Sequence, residues 1–325
     1  MPRITQERTQ STIVVGIDGT EDGLRAVDYA AVEARTTGAH LLLVHVIALT
    51  TGGMTISRSS EDRLSRAGEA VVQSARARAQ LAGVPVRDIH LQVLPGPITL
   101  ALIKASKQAT LLVLGRRGLS GLDRLFAGST STSVGARAEC PVVVVPHAWS
   151  SDGPYARVVV GVDGSARSLP ALAMAVGEAS SRSADLVVVH AWEAPAPYYV
   201  DASEIAELVD SCRRTAELAV AETLAGWSER HPDITITRVF ETRHPVEALV
   251  AHSAEADLLV IGTRGGGGIP GLALGSVARA VVAGSCSPVM LVRRGPKRLP
   301  GVRRHRDHDA GHHRSSRLDV GAPAF

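Results

Sequence analysis

Two short stretches of the chain carry residue types suited to holding an anion. Gly115-Arg116-Arg117-Gly118 is followed, after nine intervening residues, by Gly128-Ser129-Thr130. Gly262-Thr263-Arg264-Gly265 is followed, at the same interval, by Gly275-Ser276-Val277. Glycines let backbone N–H groups approach phosphate oxygens closely, and some permit positive φ. A Gly-Ser that opens a helix adds unpaired N–H groups and the positive end of the helix dipole. The dipole alone contributes about 0.3–1 kcal/mol, so the hydrogen bonds of the loop must supply more. Ser129 and Ser276 are placed either to cap that helix or to donate to phosphate. Arg116, Arg117 and Arg264 offer positive charge. Two further motifs, Asp18-Gly19-Thr20 and Asp163-Gly164-Ser165, put a carboxylate just after an apolar run. Each Asp is suited to accept a hydrogen bond from a ribose or base, or to orient a metal ion; Asp-Gly is also common turn chemistry. His45 and His190 end two other apolar runs, where local hydrogen bonding or a role near a ligand are both open.

The elements that must position these residues come in two copies. Ile13–Thr20 (IVVGIDGT) recurs as Val158–Ser165 (VVVGVDGS), and Leu41–Val46 as Leu186–Ala191, both at an offset of 145. Leu111–Gly118 recurs as Leu258–Gly265, and Pro141–Val145 as Pro288–Val292, at 147. Two copies at so long a period are duplicated domains rather than a solenoid. Within each copy, nearly unbroken Val/Ile/Leu runs mark strands buried on both faces, as in a parallel sheet. Apolar residues at three-to-four spacing predict helices over Asp22–Thr37 and Glu61–Leu81. Pro97 and Pro245 stand where helices begin, a place proline tolerates. Each copy thus reads as five parallel strands and four helices, a doubly wound α/β domain. The expected boundaries are 11–147 and 156–293, joined by the turn-rich Pro146–Ala156. Residues 294–325 lack apolar periodicity and are expected to form a basic, His/Arg-rich disordered tail.

In open parallel sheets, ligands bind beyond the carboxyl ends of the strands, where strand order reverses. The glycine loops and the Asp-Gly turns fall there, twice. Other motifs fail on context. Gly266–Gly271 matches G-x-G-x-x-G but follows the fourth strand, and Pro270 interrupts a helix. There is no G-x4-G-K-[ST], no G-x-S-x-G and no H-E-x-x-H.

The sequence resembles a tandem universal stress protein of the ATP-binding branch. The resemblance rests on VVGIDGT and VVGVDGS, on Val44-His45 and Val189-His190, on both glycine loops, and on Cys140-Pro141-Val142-Val143 with Ser287-Pro288-Val289-Met290. It implies a Rossmann-like (adenine nucleotide alpha hydrolase-like) sheet in each copy and ATP as ligand, with or without magnesium. Asp18 and the backbone near Val44 would hold adenosine, while Gly115, Gly118, Gly128, Ser129 and Thr130 hold phosphates. The matching set is Asp163, Val189, Gly262, Gly265, Gly275, Ser276 and Val277. It further implies pairing through the last strand, which the two copies could make within one chain, besides a possible homodimer and unidentified protein partners. The copies differ in the loop: the run Gly265–Gly268 should lose more entropy on ordering, so the second site is expected to bind more weakly.

Composition narrows the classes. The 325 residues are 45% hydrophobic and 21% charged, which suits globular domains. No apolar run is long enough to span a bilayer, and the opening segment lacks a signal-like apolar core, so a cytoplasmic location is expected. Three cysteines are too few for a disulfide framework. Cys140 and Cys286 should pack near the last strands, and Cys212 should fill space on a helix. The net charge of +3 is concentrated from Arg294 onward, where the tail carries +5 and leaves the body at −2. Only Phe325 among the tail residues is aromatic, so base stacking and a specific nucleic-acid role have little support. The tail histidines His305, His308, His312 and His313 suit a solvated segment better than a metal site.

The leading expectation is a nucleotide-dependent regulatory or protective module in stress response. A slow ATPase or phosphotransferase is the alternative enzyme class. Against it, Asp123 in the first loop is matched by Pro270 in the second, so no carboxylate is repeated to orient a nucleophile. A cyclic AMP-binding protein and a nucleotide-free structural protein remain the other readings.

Overall fold

The computed structural model describes residues 11–48, 50–51, 54–55, 58–116, 129–151, 156–193, 202–265 and 274–293. The expected tail, Gly118, Gly128, Asp123 and Pro270 lie outside the described residues.

The first copy runs β1 (Thr12–Ile17), α1 (Glu21–Thr37), β2 (His40–Ile47), β3 (Thr50–Thr51), β4 (Met54–Thr55), α2 (Arg58–Leu81), β5 (Ile89–Pro95), α3 (Ile98–Ala105), β6 (Leu111–Gly115), α4 (Ser129–Arg137) and β7 (Val142–Val145). The second runs β8 (Arg157–Gly161), α5 (Leu169–Arg182), β9 (Asp185–Trp192), α6 (Ala202–Leu224), α7 (Trp227–Arg230), β10 (Ile236–Thr242), α8 (Pro245–Ser253), β11 (Leu258–Gly262), α9 (Ser276–Gly284) and β12 (Val289–Val292). The β3–β4 hairpin and the one-turn α7 are additions to the expected pattern; neither is long enough to display a period. Pro97 is the residue before α3, whereas Pro245 is the first residue of α8 behind His244, so the two prolines are one position out of register.

Ten strands form one sheet in the order β10-β9-β8-β11-β12-β7-β6-β1-β2-β5. Pairing is parallel within each half, with first-copy order β5-β2-β1-β6-β7, so the chain reverses direction across the sheet between β1 and β6. The halves meet where β7 and β12 pair antiparallel, Val144 opposite Val289 and Val142 opposite Leu291. That is last-strand pairing made inside one chain. Side chains alternate along each strand. Val15, Val113, Val143 and Met290 therefore join the core under α1, α2 and α5, while Val14, Leu112, Val144 and Leu291 join the core under α3, α4, α8 and α9. Both cores run continuously through the junction. Burial on both faces is why the strands read as unbroken apolar runs.

Two arginines tie the halves together beyond the strand pair. Arg116, just past β6, donates from Nη1 to the Val282 carbonyl of α9 at 2.7 Å. Arg293, just past β12, donates to the Arg137 carbonyl at the end of α4 at 3.2 Å. Guanidinium groups at helix C-termini meet carbonyls that lack intrahelical donors. On the opposite face, Arg182 of α5 reaches Glu33 and Tyr29 of α1.

Candidate functional site

Each Asp-Gly turn is built by its own residues. Asp18 Oδ1 accepts from the Thr20 N–H at 3.1 Å and the Thr20 hydroxyl at 2.6 Å. Gly19 takes φ +82°, a conformation that side chains rarely adopt. Thr20 then caps α1, its Oγ1 accepting from the Gly23 N–H at 3.2 Å. In the second copy Asp163 Oδ1 accepts from the Ser165 N–H at 3.0 Å, the Ser165 hydroxyl at 2.7 Å and the Ser168 hydroxyl at 2.5 Å, with Gly164 at φ +73°. One oxygen of each carboxylate is thus committed to shaping the turn, and both carboxylates line clefts.

The histidines near the ends of β2 and β9 make the local contact. His45 Nδ1 stands 2.9 Å from the Ile17 carbonyl, and His190 Nδ1 3.0 Å from the Val162 carbonyl. Because the carbonyl can only accept, Nδ1 carries the proton in both rings. Burial holds His190 below the usual histidine range, although the Val162 carbonyl and Asp163 oppose it. His45 additionally lines the first cleft.

The first cleft, about 410 Å³, is lined by Asp18, Val44, Gly115, Ser129 and Thr130 among the expected residues. The second, about 340 Å³, is lined by all eight expected there: Asp163, Val189, Gly262, Arg264, Gly265, Gly275, Ser276 and Val277. Both volumes fall within the roughly 300–1,000 Å³ of small-molecule sites. Arg116 is not brought to the first cleft. Its guanidinium is held on the Val282 carbonyl, half-buried between the halves, and burial pulls its pKa down while Cys286 and Asp22 push it up.

Several lining residues escaped the sequence reading. They include Asp22 in the first cleft, Ser168 in the second, and the equivalent pair Leu102 and Leu249. Leu102 and Leu249 stand 147 apart and could have been found by pairing every position of the two copies rather than the motifs alone.

The donor set suits an anion joined to an apolar ring. At the second cleft, Gly275 precedes α9 in an extended conformation (φ −65°, ψ 157°) with no side-chain cap, and Ser276 is the first helical residue rather than the cap. The N–H groups of the first turn therefore face the cleft without a capping side chain. The Gly275 N–H itself bonds the Thr263 carbonyl at 2.9 Å, fixing the helix start against the root of the glycine loop. Val189, Ala191, Leu249 and Ile261 supply an apolar wall opposite. In the first cleft, a Cβ on Gly115 would strike the Asp22 carbonyl, so only glycine permits the close approach of β6 to α1.

Comparison with known proteins converges on one family. A family model described as "Universal stress protein family" matches residues 10–146 and 154–293. Universal stress protein Rv2005c of Mycobacterium tuberculosis is 35% identical over 299 residues, covering 89% of this chain and 99% of that protein. Universal stress protein Rv2623 of the same organism is 36% identical over 295 residues, covering 86% and 96%. A solved universal stress protein from Archaeoglobus fulgidus shares the fold, with a TM-score of 0.66 at 24% identity, covering 89% of this chain and 99% of that one. Among the described residues, no helix is long and apolar enough to cross a membrane.

Proposed function

The chain belongs to the universal stress protein family, and from that premise we propose that it is an ATP-binding regulatory module of the stress response. The observation that carries the reading is the second cleft. There a strand-end carboxylate, a glycine loop, an uncapped helix N-terminus and an apolar wall surround one volume of about 340 Å³. The first cleft repeats the arrangement with Asp18, Gly115, Ser129 and Thr130.

In this reading the apolar walls, including Val44 in one copy and Val189 in the other, take the base. The glycine loops and the N–H groups that open α4 and α9 take the phosphates. Asp18 and Asp163, already oriented by their turns, accept from the ribose. ATP supplies the polyphosphate charge that the N–H groups of the glycines and of the helix starts are suited to meet. Occupancy then stabilises the folded chain by mass action, about 2.7 kcal/mol at a hundredfold excess over Kd. It also alters the surface that protein partners meet.

Calorimetric titration of ATP into nucleotide-stripped protein tests the proposal. Two ATP per chain is the expected stoichiometry, and one would mean that the copies have diverged in function. Absence of binding at millimolar ATP would overturn it.

A further inference from the structure

Ser168 stands immediately before α5, where a serine hydroxyl ordinarily accepts from the second or third N–H of the helix. It makes no such bond. Pro170, the second residue of α5, has no N–H to give. The hydroxyl turns back to Asp163 instead. Its Oγ accepts from the Asp163 N–H at 3.2 Å and donates to Asp163 Oδ1 at 2.5 Å. The Ser165 carbonyl lies 3.0 Å from the same Oγ, but the single hydroxyl proton favours the charged acceptor. Main chain and side chain of Asp163 are thus joined through one atom, in a closed ring that fixes the torsions of its carboxylate. Ser168 is 6% exposed and lines the second cleft together with Asp163. Asp163 Oδ2 lies toward the glycine loop, 3.0 Å from where a Cβ on Gly265 would sit.

The first copy cannot form this ring. The counterpart of Ser168 is Gly23, and a Cβ there would come 2.8 Å from Asp18 Oδ1. The helix starts differ to match. α1 begins at Glu21 behind its cap Thr20, whereas α5 begins at Leu169, three positions later in the repeat. The residues between form a turn, closed by the Ser168 N–H on the Ser165 carbonyl at 3.0 Å. That turn is what carries the Ser168 hydroxyl back onto Asp163.

We infer that Ser168 is a positioning residue of the second site: it presets the Asp163 carboxylate for a ribose hydroxyl and so sets how strongly that site prefers a ribonucleotide to its deoxy counterpart. This role rests on the nucleotide reading given above. A carboxylate already held in place loses no side-chain freedom when a hydroxyl docks on it. A looser one is ordered only by the ligand that has the hydroxyl, which weakens that ligand against one that lacks it. Fixing one side chain therefore widens the gap between the two ligands by about two- to tenfold. Base, phosphate and loop contacts are common to both ligands and cancel in the ratio. Ser165 also donates to Oδ1, so loss of the Ser168 hydroxyl alone should remove only part of the gain.

The test uses the full chain carrying Ser129→Asp, which sets a carboxylate where α4 opens on the first cleft and so weakens phosphate binding there. ATP, 2′-deoxy-ATP and 3′-deoxy-ATP are titrated calorimetrically. The second site should prefer ATP to one of the deoxy analogues by about tenfold or more, the value of a hydrogen bond to a charged group. Asp163→Ala should abolish that preference. Ser168→Ala should lower it about threefold, and Ser168→Thr, which keeps the hydroxyl, should retain it. Where the Ser129→Asp chain fails to fold, the position-168 variants in the otherwise unaltered chain should move one binding class and leave the other. A preference unmoved by Ser168→Ala, or lowered equally by Ala and Thr, would overturn the role of the hydroxyl while leaving ATP binding intact. A parent chain that binds none of the three nucleotides would overturn the nucleotide reading as well.

Discussion

Two acids and one base meet where the halves of the molecule pack. Arg182 Nη2 donates to Glu33 at 2.5 Å and Glu178 at 2.9 Å, with the Tyr29 hydroxyl at 3.3 Å. Glu33 and Tyr29 belong to α1, Glu178 and Arg182 to α5. Tyr29 is 3% exposed and Glu33 6% exposed, so little water reaches the group. With both carboxylates ionised it holds a net negative charge. Burial, assisted by the charge of Glu33, raises the Glu178 pKa from 4.5 to about 7 against the opposing pull of Arg182. Burial likewise pushes the Tyr29 hydroxyl well above its usual range, so it stays neutral. An acid whose folded pKa is raised binds its proton more strongly in the native state. Its favourable contribution is complete below the unfolded value and lost as pH rises through the folded one. At about 1.4 kcal/mol per unit, the loss between roughly pH 4.5 and pH 8 is about 3 kcal/mol.

The perturbation is Glu178→Gln, which keeps an acceptor for Arg182 and removes the proton to be lost. Urea denaturation from pH 5 to pH 8.5 should show the variant close to the parent at the acid end and about 2–3 kcal/mol more stable at the alkaline end. His190, held below its usual pKa, contributes in the opposite direction: its stability is lost as pH falls below about 6.5. It affects both proteins equally and cancels in their difference. Glu33→Gln should shrink the pH dependence in part, because it removes a charge that raises the Glu178 pKa. A difference between parent and Glu178→Gln that stays constant across the range would refute the reasoning.

Three further outcomes follow from single contacts. Gly115→Ala drives a Cβ into the Asp22 carbonyl and should cost about 1–3 kcal/mol, whereas Gly262→Ala meets its nearest atom at 3.2 Å and should cost about 1 kcal/mol or less; urea midpoints compare them. Arg116→Met removes a charged donor from the Val282 carbonyl and should destabilise the chain by about 1.5–3 kcal/mol in the same assay. Cys286 is exposed, while burial pushes the Cys140 thiol up to about 12; with Cys212 replaced by Ser, a disulfide reagent at pH 8 should label Cys286 promptly and Cys140 only on unfolding.

What was legible in the sequence follows from how each feature is stabilised. A strand buried on both faces must be apolar throughout, so the main strands announced themselves as runs. Small residues recur at one spacing before α4 and α9, so the glycine loops stood out. Arg116 was misplaced because its partner is a main-chain carbonyl in the other half, and a carbonyl leaves no mark in a sequence. Cys286 was expected to pack beside β12, yet it is exposed in the turn before that strand. The Asp-Gly turns are open to two readings, and the hydrogen bonds bear on one of them: Oδ1 of each Asp serves the turn, in a residue that also lines a cleft.

Duplication within one chain also explains why the halves are not copies in their charges. Glu33 and Glu178 occupy equivalent positions on α1 and α5, which face one another. A strict twofold axis would bring two identical helices together and force any compensating residue to appear twice or not at all. Here Arg182 compensates both acids, and its counterpart is Thr37. The same freedom puts Arg116 on α9 while Thr263 takes the matching place, buried beside the second cleft. It places Asp22 in one cleft and Arg167 against the other. Each asymmetry sits at the junction or at a cleft, where one half can carry a residue that its counterpart lacks.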